Sequence, residues 1–191
     1  MLEFVMNRTI LIILFALLFT ISAAAQGKSS DAIKKQVHDL KSDRIFKLTY
    51  DYDSDSTKLF AVAENFDKKD AEHAGTQAIN FAMAFTFGGQ TLTAPPATIN
   101  LTFWVLTKKP QFAVSHHLKV TSGLETVDFG DARYAAKPSE NMEYLNFVIS
   151  REDLAKLVIS GAKLKLGNAD LIFTAPQTNV FANMLKLSTL Q

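Results

Sequence analysis

The chain has no cysteine among its 191 residues. That absence removes disulfides, thiol catalysis and thiolate metal sites, and it leaves no residue for a lipid anchor. An excess of charge of one sign is missing as well. Lys and Arg number 20 against 19 Asp and Glu, a formal net charge of +1. Such a balance gives no field for gathering nucleic acid or an acidic membrane, so neither is expected as a partner. Catalytic signatures are absent too: there is no H-E-x-x-H and no G-x-S-x-G. Gly88-Gly89 and Gly130 have neither the spacing nor the helix start of a phosphate-binding loop. No metal and no cofactor is expected from these motifs.

What is present begins with an address. Residues 10–21 form an apolar run broken only by Thr20, preceded by Arg8 and followed by Ser22-Ala23-Ala24-Ala25. A basic start, an apolar middle and an A-x-A end predict a secretory signal peptide over residues 1–25, cleaved after Ala25. The run is shorter than the roughly 20 residues of a spanning helix, which disfavours a retained anchor. Glu3 weakens the basic start, and initiation at Met6 instead of Met1 would remove it. The mature protein is then expected in the periplasm or outside the cell, without membrane insertion. Its remaining 166 residues suffice for one domain with a sizeable core. Without disulfides that core alone must hold the fold, and 48% hydrophobic residues with fifteen Phe allow it.

Several independent signals agree over residues 146–173. Phe147-Val148-Ile149 ends a strand, and Ser150 offers a side-chain oxygen to a helix start. Asp153, three residues on, can reach back to the Ser150 amide. Leu154, Leu157 and Val158 follow at helical spacing, and Gly161 ends the helix. Ala162, Leu164 and Leu166 then alternate with Lys163 and Lys165 as a half-buried strand. Gly167-Asn168 is a hairpin turn, and Leu171-Ile172-Phe173 returns.

Upstream, residues 26–44 read as a flexible lead-in followed by a short helix, with Ile33, Val37 and Leu40 on one face. Residues 45–191 read as a single β-rich domain. Residues 45–66 form a hairpin about the Asp53-Ser54-Asp55-Ser56 turn. Residues 67–75 are charged and loop-like. Residues 77–87 form a strand with Ile79, Phe81, Met83, Phe85 and Phe87 on one face, a core wall, and Asn80, Ala82, Ala84 and Thr86 on the other. Residues 99–106 follow, with Trp104 opposite the inward face, where packing on a helix or loop of its own domain is favoured over an interaction anchor. Residues 112–121 read as strand, residues 127–134 as two very short strands around Phe129-Gly130-Asp131, and residues 142–149 as strand with a bulge between Tyr144 and Leu145. Pro176 suits the first turn of a C-terminal helix striped by Val180, Phe181, Met184 and Leu185. The expected fold class is mainly β (α+β): an antiparallel β-sandwich-like domain with a short inserted helix and a C-terminal helix.

Candidate chemistry is sparse. His116 and His117 are adjacent on a predicted strand, so they point to opposite faces and cannot share one metal. His38 and His73 are the other two histidines. Asp51, Asp53 and Asp55 resemble a calcium loop, but an EF-hand needs Gly where Ser56 stands and Glu where Val62 stands. Glu125, Asp128, Asp131, Glu140 and Glu143 are the acids from which a carboxylate pair would be drawn.

The second half resembles a pattern seen in small exported bacterial domains of uncharacterised function. The residues that carry it are Leu118-Lys119-Val120, Phe129-Gly130 before Tyr134, Glu143-Tyr144-Leu145 leading to Ser150, and the hairpin that follows. The resemblance spans about residues 77–191. It implies a β-rich extracytoplasmic domain and brings no catalytic residues. The functional expectation is an exported, non-enzymatic binding or interaction module with an envelope or extracellular partner. The alternative is a secreted carboxylate-based hydrolase of glycans or esters.

Overall fold

The computed structural model describes residues 27–62, 65–158 and 161–190. The predicted signal peptide, residues 1–25, lies outside the described residues. The chain is mainly β, an α+β fold of antiparallel sheets with four helices. In order it runs β1 (Lys28–Ser29), α1 (Ser30–Asp39), β2 (Phe46–Asp51), β3 (Ser56–Val62), α2 (Lys68–His73), β4 (Ala78–Gly88), β5 (Thr91–Leu92) and β6 (Thr98–Leu106). It continues with β7 (His117–Ser122), β8 (Glu125–Asp131), β9 (Arg133–Lys137), β10 (Met142–Ser150), α3 (Arg151–Lys156), β11 (Lys163–Leu166), β12 (Ala169–Ile172) and α4 (Ala175–Leu187).

Six strands form one sheet in the order β2-β3-β4-β6-β10-β9, and four form a second in the order β12-β11-β7-β8. The chain passes from the second sheet to the first at Ala132, between β8 and β9, where the Ala132 amide donates to the His116 carbonyl. The inward positions of both sheets and the apolar faces of the helices close one core. At its centre Phe81 of β4 stacks on Phe181 of α4, with centroids 5.1 Å apart, and Phe173 stands edge-on to Phe181 at 4.9 Å. Each such fully buried Phe contributes roughly 1.5–3 kcal/mol relative to exposure, which is how a chain without disulfides reaches stability.

Local chemistry explains most element ends. Ser150 Oγ accepts from the Asp153 amide at 2.9 Å, as its position predicts, but the Asp153 carboxylate meets the Ser150 hydroxyl instead of its amide. Thr174 caps α4, with the Gln177 side chain accepting from the Thr174 amide and Pro176 in the first turn. Among the described residues no helix is long and apolar enough to cross a membrane.

Five expectations are corrected. The lead-in is tied down: Lys28–Ser29 pairs with Thr91–Leu92, and the Lys28 ammonium reaches the Thr189 carbonyl at 3.1 Å, at the negative end of α4. Burial lowers the Lys28 pKa. Residues 67–75 hold a short helix, capped by Asp67 on the Lys69 amide and burying only Ala71. Residues 112–116 are not strand, because the Glu143 carboxylate takes the amides of Gln111 and Phe112, which a strand ladder would need. The register of β10 is unbroken from Met142 to Ser150, and the bulge lies instead in β7 between Leu118 and Lys119. Finally, α3 ends at Lys156 with Leu157 as its cap; Gly161, at φ 80°, opens the turn into β11.

Candidate functional site

In the six-stranded sheet the period of two sends alternate side chains outward. On β4 these are Asn80, Ala82, Ala84 and Thr86; on β6, Thr98, Asn100, Thr102 and Trp104; on β10, Tyr144, Asn146 and Val148. None of the outward residues on the six strands is buried, whereas the inward positions of the central strands are. The small alanine face of β4 therefore meets solvent. Val148 is 70% exposed although it sits in an apolar run.

The register fixes the pattern on this face. Asn80, Trp104 and Tyr144 lie side by side across β4, β6 and β10. Two steps along the strands, Phe60, Ala84, Asn100 and Val148 form a parallel row. Between them run Ala82, Thr102 and Asn146, with Thr102 Oγ1 donating to Asn146 Oδ1 at 2.8 Å. At about 4.8 Å between strands and 3.4 Å per residue, Phe60 and Trp104 are about 17 Å apart. Over β2, β3 and β4 lies an open trough of about 460 Å³, lined by Asp51, Lys58, Phe60, Ala82, Ala84 and Thr102 among others. The side-chain amides of Asn80 and Asn100 and the Trp104 indole N–H have no hydrogen-bond partner among the described residues.

Charge on this face sits at its two edges. Lys47 and Lys58 stand on β2 and β3, and Arg133 and Lys137 on β9, with Asp51 the one acid. Lys137 pairs with Glu140 at 3.3 Å. Lys47, Lys58 and Arg133 have no acidic partner among the described residues. The Asp51 carboxylate is turned into its own turn, where the Ser54 hydroxyl and then the Asp53 amide hold its pKa below the usual range.

The candidate acids and histidines lie elsewhere and do not converge on one cleft. His117 bridges Asp131 (Nδ1, 2.9 Å) and Asp128 (Nε2, 2.6 Å), and Lys119 joins Asp128 at 3.2 Å. An imidazole with a carboxylate on each nitrogen is best satisfied as the imidazolium, which donates twice. The Asp131 hydrogen bond leads in raising the His117 pKa, with Asp128 adding to it. The Gly130 amide leads in holding Asp128 low, so this carboxyl is not a proton donor near neutrality. The cluster lies on an exposed hairpin.

Glu143 is the buried acid, 1% exposed, and is committed to the fold. It accepts from the Gln111 and Phe112 amides at 2.9 and 3.0 Å and from the Tyr134 hydroxyl at 2.9 Å. Burial first, then the Glu143 carboxylate, pushes the Tyr134 pKa up to about 12. His116 stacks on Tyr134, centroids 5.7 Å apart, with Nδ1 on the Phe112 carbonyl. Glu125 and Glu140 are exposed, as are His38 and His73 at the ends of α1 and α2. Asp55 accepts from the Tyr50 hydroxyl at 2.6 Å, away from Asp51. Among the described residues no group of three His, Asp or Glu side chains is placed to hold a metal ion.

Of the outward set, Trp104 and the Asn80 to Thr86 face were legible as outward from alternation. Phe60, Asn100, Tyr144 and Asn146 were not singled out. The same period of two, carried across register partners, was the signal that joins them. The chain matches no family model, no curated protein and no solved structure.

Proposed function

We propose that this chain is an exported, non-enzymatic binding module whose binding surface is the outer face of the six-stranded sheet. The observation that carries the reading is that this wide face buries none of its outward residues while presenting Phe60, Trp104 and Tyr144 among unpartnered amides. These three aromatic groups are half-buried, and what they leave open on a rigid sheet is apolar contact area that loses little entropy on binding. The export half of the proposal rests on residues 1–25. The binding half is preferred over carboxylate hydrolysis because Glu143 is engaged in the fold, Asp128 is held ionised, and the candidate acids do not converge on one cleft.

Trp104 is the one tryptophan of the chain, so its fluorescence reports directly on this face. The mature protein is screened against glycan, peptide and lipid panels by tryptophan emission and by an independent binding assay. A ligand that shifts the emission and is lost on Trp104→Ala supports the reading. Ligands that bind with no emission change and survive Trp104→Ala overturn it.

A further inference from the structure

We propose that the occupant of this face is an acidic polysaccharide laid across the strands. This deepens the binding reading above and rests on it. Three properties of the face select this class of ligand.

The first is the mixture at the centre of the face. Asn80 and Asn100 stand among Trp104, Tyr144 and Phe60, and their amides lack partners. An apolar protein surface pressed onto them would leave those donors and acceptors desolvated and unpaired, at a cost to affinity. A polyhydroxylated chain satisfies them, while the apolar faces of its sugar rings lie on the aromatic planes. The second property is shape. The open trough lies over β2, β3 and β4, and the outer face continues beyond it to Trp104, roughly 17 Å from Phe60, a span that suits an extended chain of several rings better than one small molecule. The third is charge. The unpaired bases Lys47, Lys58 and Arg133 stand at opposite edges of the face, while the chain as a whole is nearly neutral. A linear anion crossing the strands meets positive charge at both ends of its path. Two copies of this chain packed face to face would instead bring these like charges together.

The test uses the mature chain with polygalacturonate, chondroitin sulfate, neutral dextran, polyglutamate and a single-stranded oligonucleotide, read by Trp104 emission and affinity electrophoresis. The expected result is binding of the two acidic polysaccharides, weakened by salt. Trp104→Ala should weaken it roughly tenfold, and Lys58→Gln with Arg133→Gln roughly two- to tenfold. Melting temperature and circular dichroism confirm that the variants are folded. Dextran binding as tightly, without salt dependence, overturns the acidic class and leaves the face a binding site. Polyglutamate or the oligonucleotide binding as well as the polysaccharides, and through Trp104, overturns the sugar class alone. Binding that survives Trp104→Ala overturns both the inference and the reading of this face. A blank on all five probes overturns the inference, and the panels above then decide the broader reading.

Discussion

The two sheets turn outer faces of different kinds to solvent. On the four-stranded sheet most of the charges answer one another. Lys119 meets Asp128, Lys165 meets Asp170 at 3.8 Å, and His117 bridges two carboxylates. Thr121 and Thr126 share a hydrogen bond at 3.0 Å. On the six-stranded sheet the Lys137 ammonium lies over the Tyr144 ring at 5.6 Å, but the Asn80 and Asn100 amides have no hydrogen-bond partner, and three of the four bases have no acidic partner, among the described residues. The first face is more nearly satisfied within the chain, although Lys163 has no acidic partner among the described residues and a trough of about 480 Å³ lies beside Lys165 and Ile172. The second holds more polar groups that no other group of the described chain satisfies and that are open to solvent or a ligand. The lysines of the first face lie on its interior strands β7 and β11, not at an edge, so their alternation marks a solvated face and not protection against edge pairing.

The largest effect should come from the hairpin that closes the four-stranded sheet. Gly167 has φ 54°, and a Cβ there would collide with the Ser115 carbonyl. Gly167→Ala should cost about 3 kcal/mol from the left-handed backbone and the displaced loop together. Chemical denaturation reads the loss. If the two faces are independent in function, Trp104 emission and ligand binding of the folded fraction stay as in the parent.

Next comes the clip that fastens the loop before β7 to β10. Glu143→Gln replaces an acceptor oxygen with an amide that faces a backbone or phenol donor, and should cost about 2–3 kcal/mol. Tyr134 supplies a pH signature for the same clip. Its pKa is about 12 in the fold against 10.0 ordinarily. The unfolded chain therefore loses this proton first, and stability should fall as pH rises from 10 towards 12, by at most about 2–3 kcal/mol. Absorbance at 295 nm should show a late tyrosine step that Tyr134→Phe removes. A parent protein whose stability is flat over that range would show that Glu143 and Tyr134 are not in contact.

How far the sequence carried depended on whether a pattern was local. The capped helix at Ser150, the Gly167-Asn168 turn and the Phe81 core wall follow from spacing within a few residues, and the structure has them where spacing places them. The strand expected over residues 112–121 holds from His117 onward and fails over its first five residues for a long-range reason. Glu143 lies 31 residues from Phe112 and captures its amide, and no local pattern records that. The helix at Lys68–His73 escaped because it buries one alanine and so lacks a stripe. The candidate site was half legible. Outward Trp104 and the alanine face follow from alternation, but the rows joining them to Phe60, Asn100 and Tyr144 depend on register, which is set by strands far apart in sequence.

A subtler contrast lies at His117. Its pKa is raised above 6.5, by Asp131 first and then Asp128. A raised histidine stabilises the folded state fully below its unfolded pKa, and that contribution is lost as pH rises through the higher folded value. Amides of the β7–β8 hairpin should thus exchange faster on the alkaline side of that titration, once intrinsic rates are divided out. Those of β4 and β6 should not respond. His117→Gln should flatten the difference; an unchanged profile would mean that the bridge does not form in solution.

The smallest effect is the sharpest test of the contrast between faces. Val148 and Ile172 are both outward strand residues, 70% and 51% exposed, one on each sheet. Replacing either with Thr keeps the β-branch and removes little buried area, so each should shift stability by less than about 0.5 kcal/mol. Their effects on binding should differ. Val148 stands in the row with Phe60 and Asn100, so Val148→Thr should weaken an acidic polysaccharide measurably, while Ile172→Thr leaves it unchanged. Equal effects at the two positions would mean that the unpaired groups of the larger face are ordinary surface, and that the difference between the sheets has no functional content.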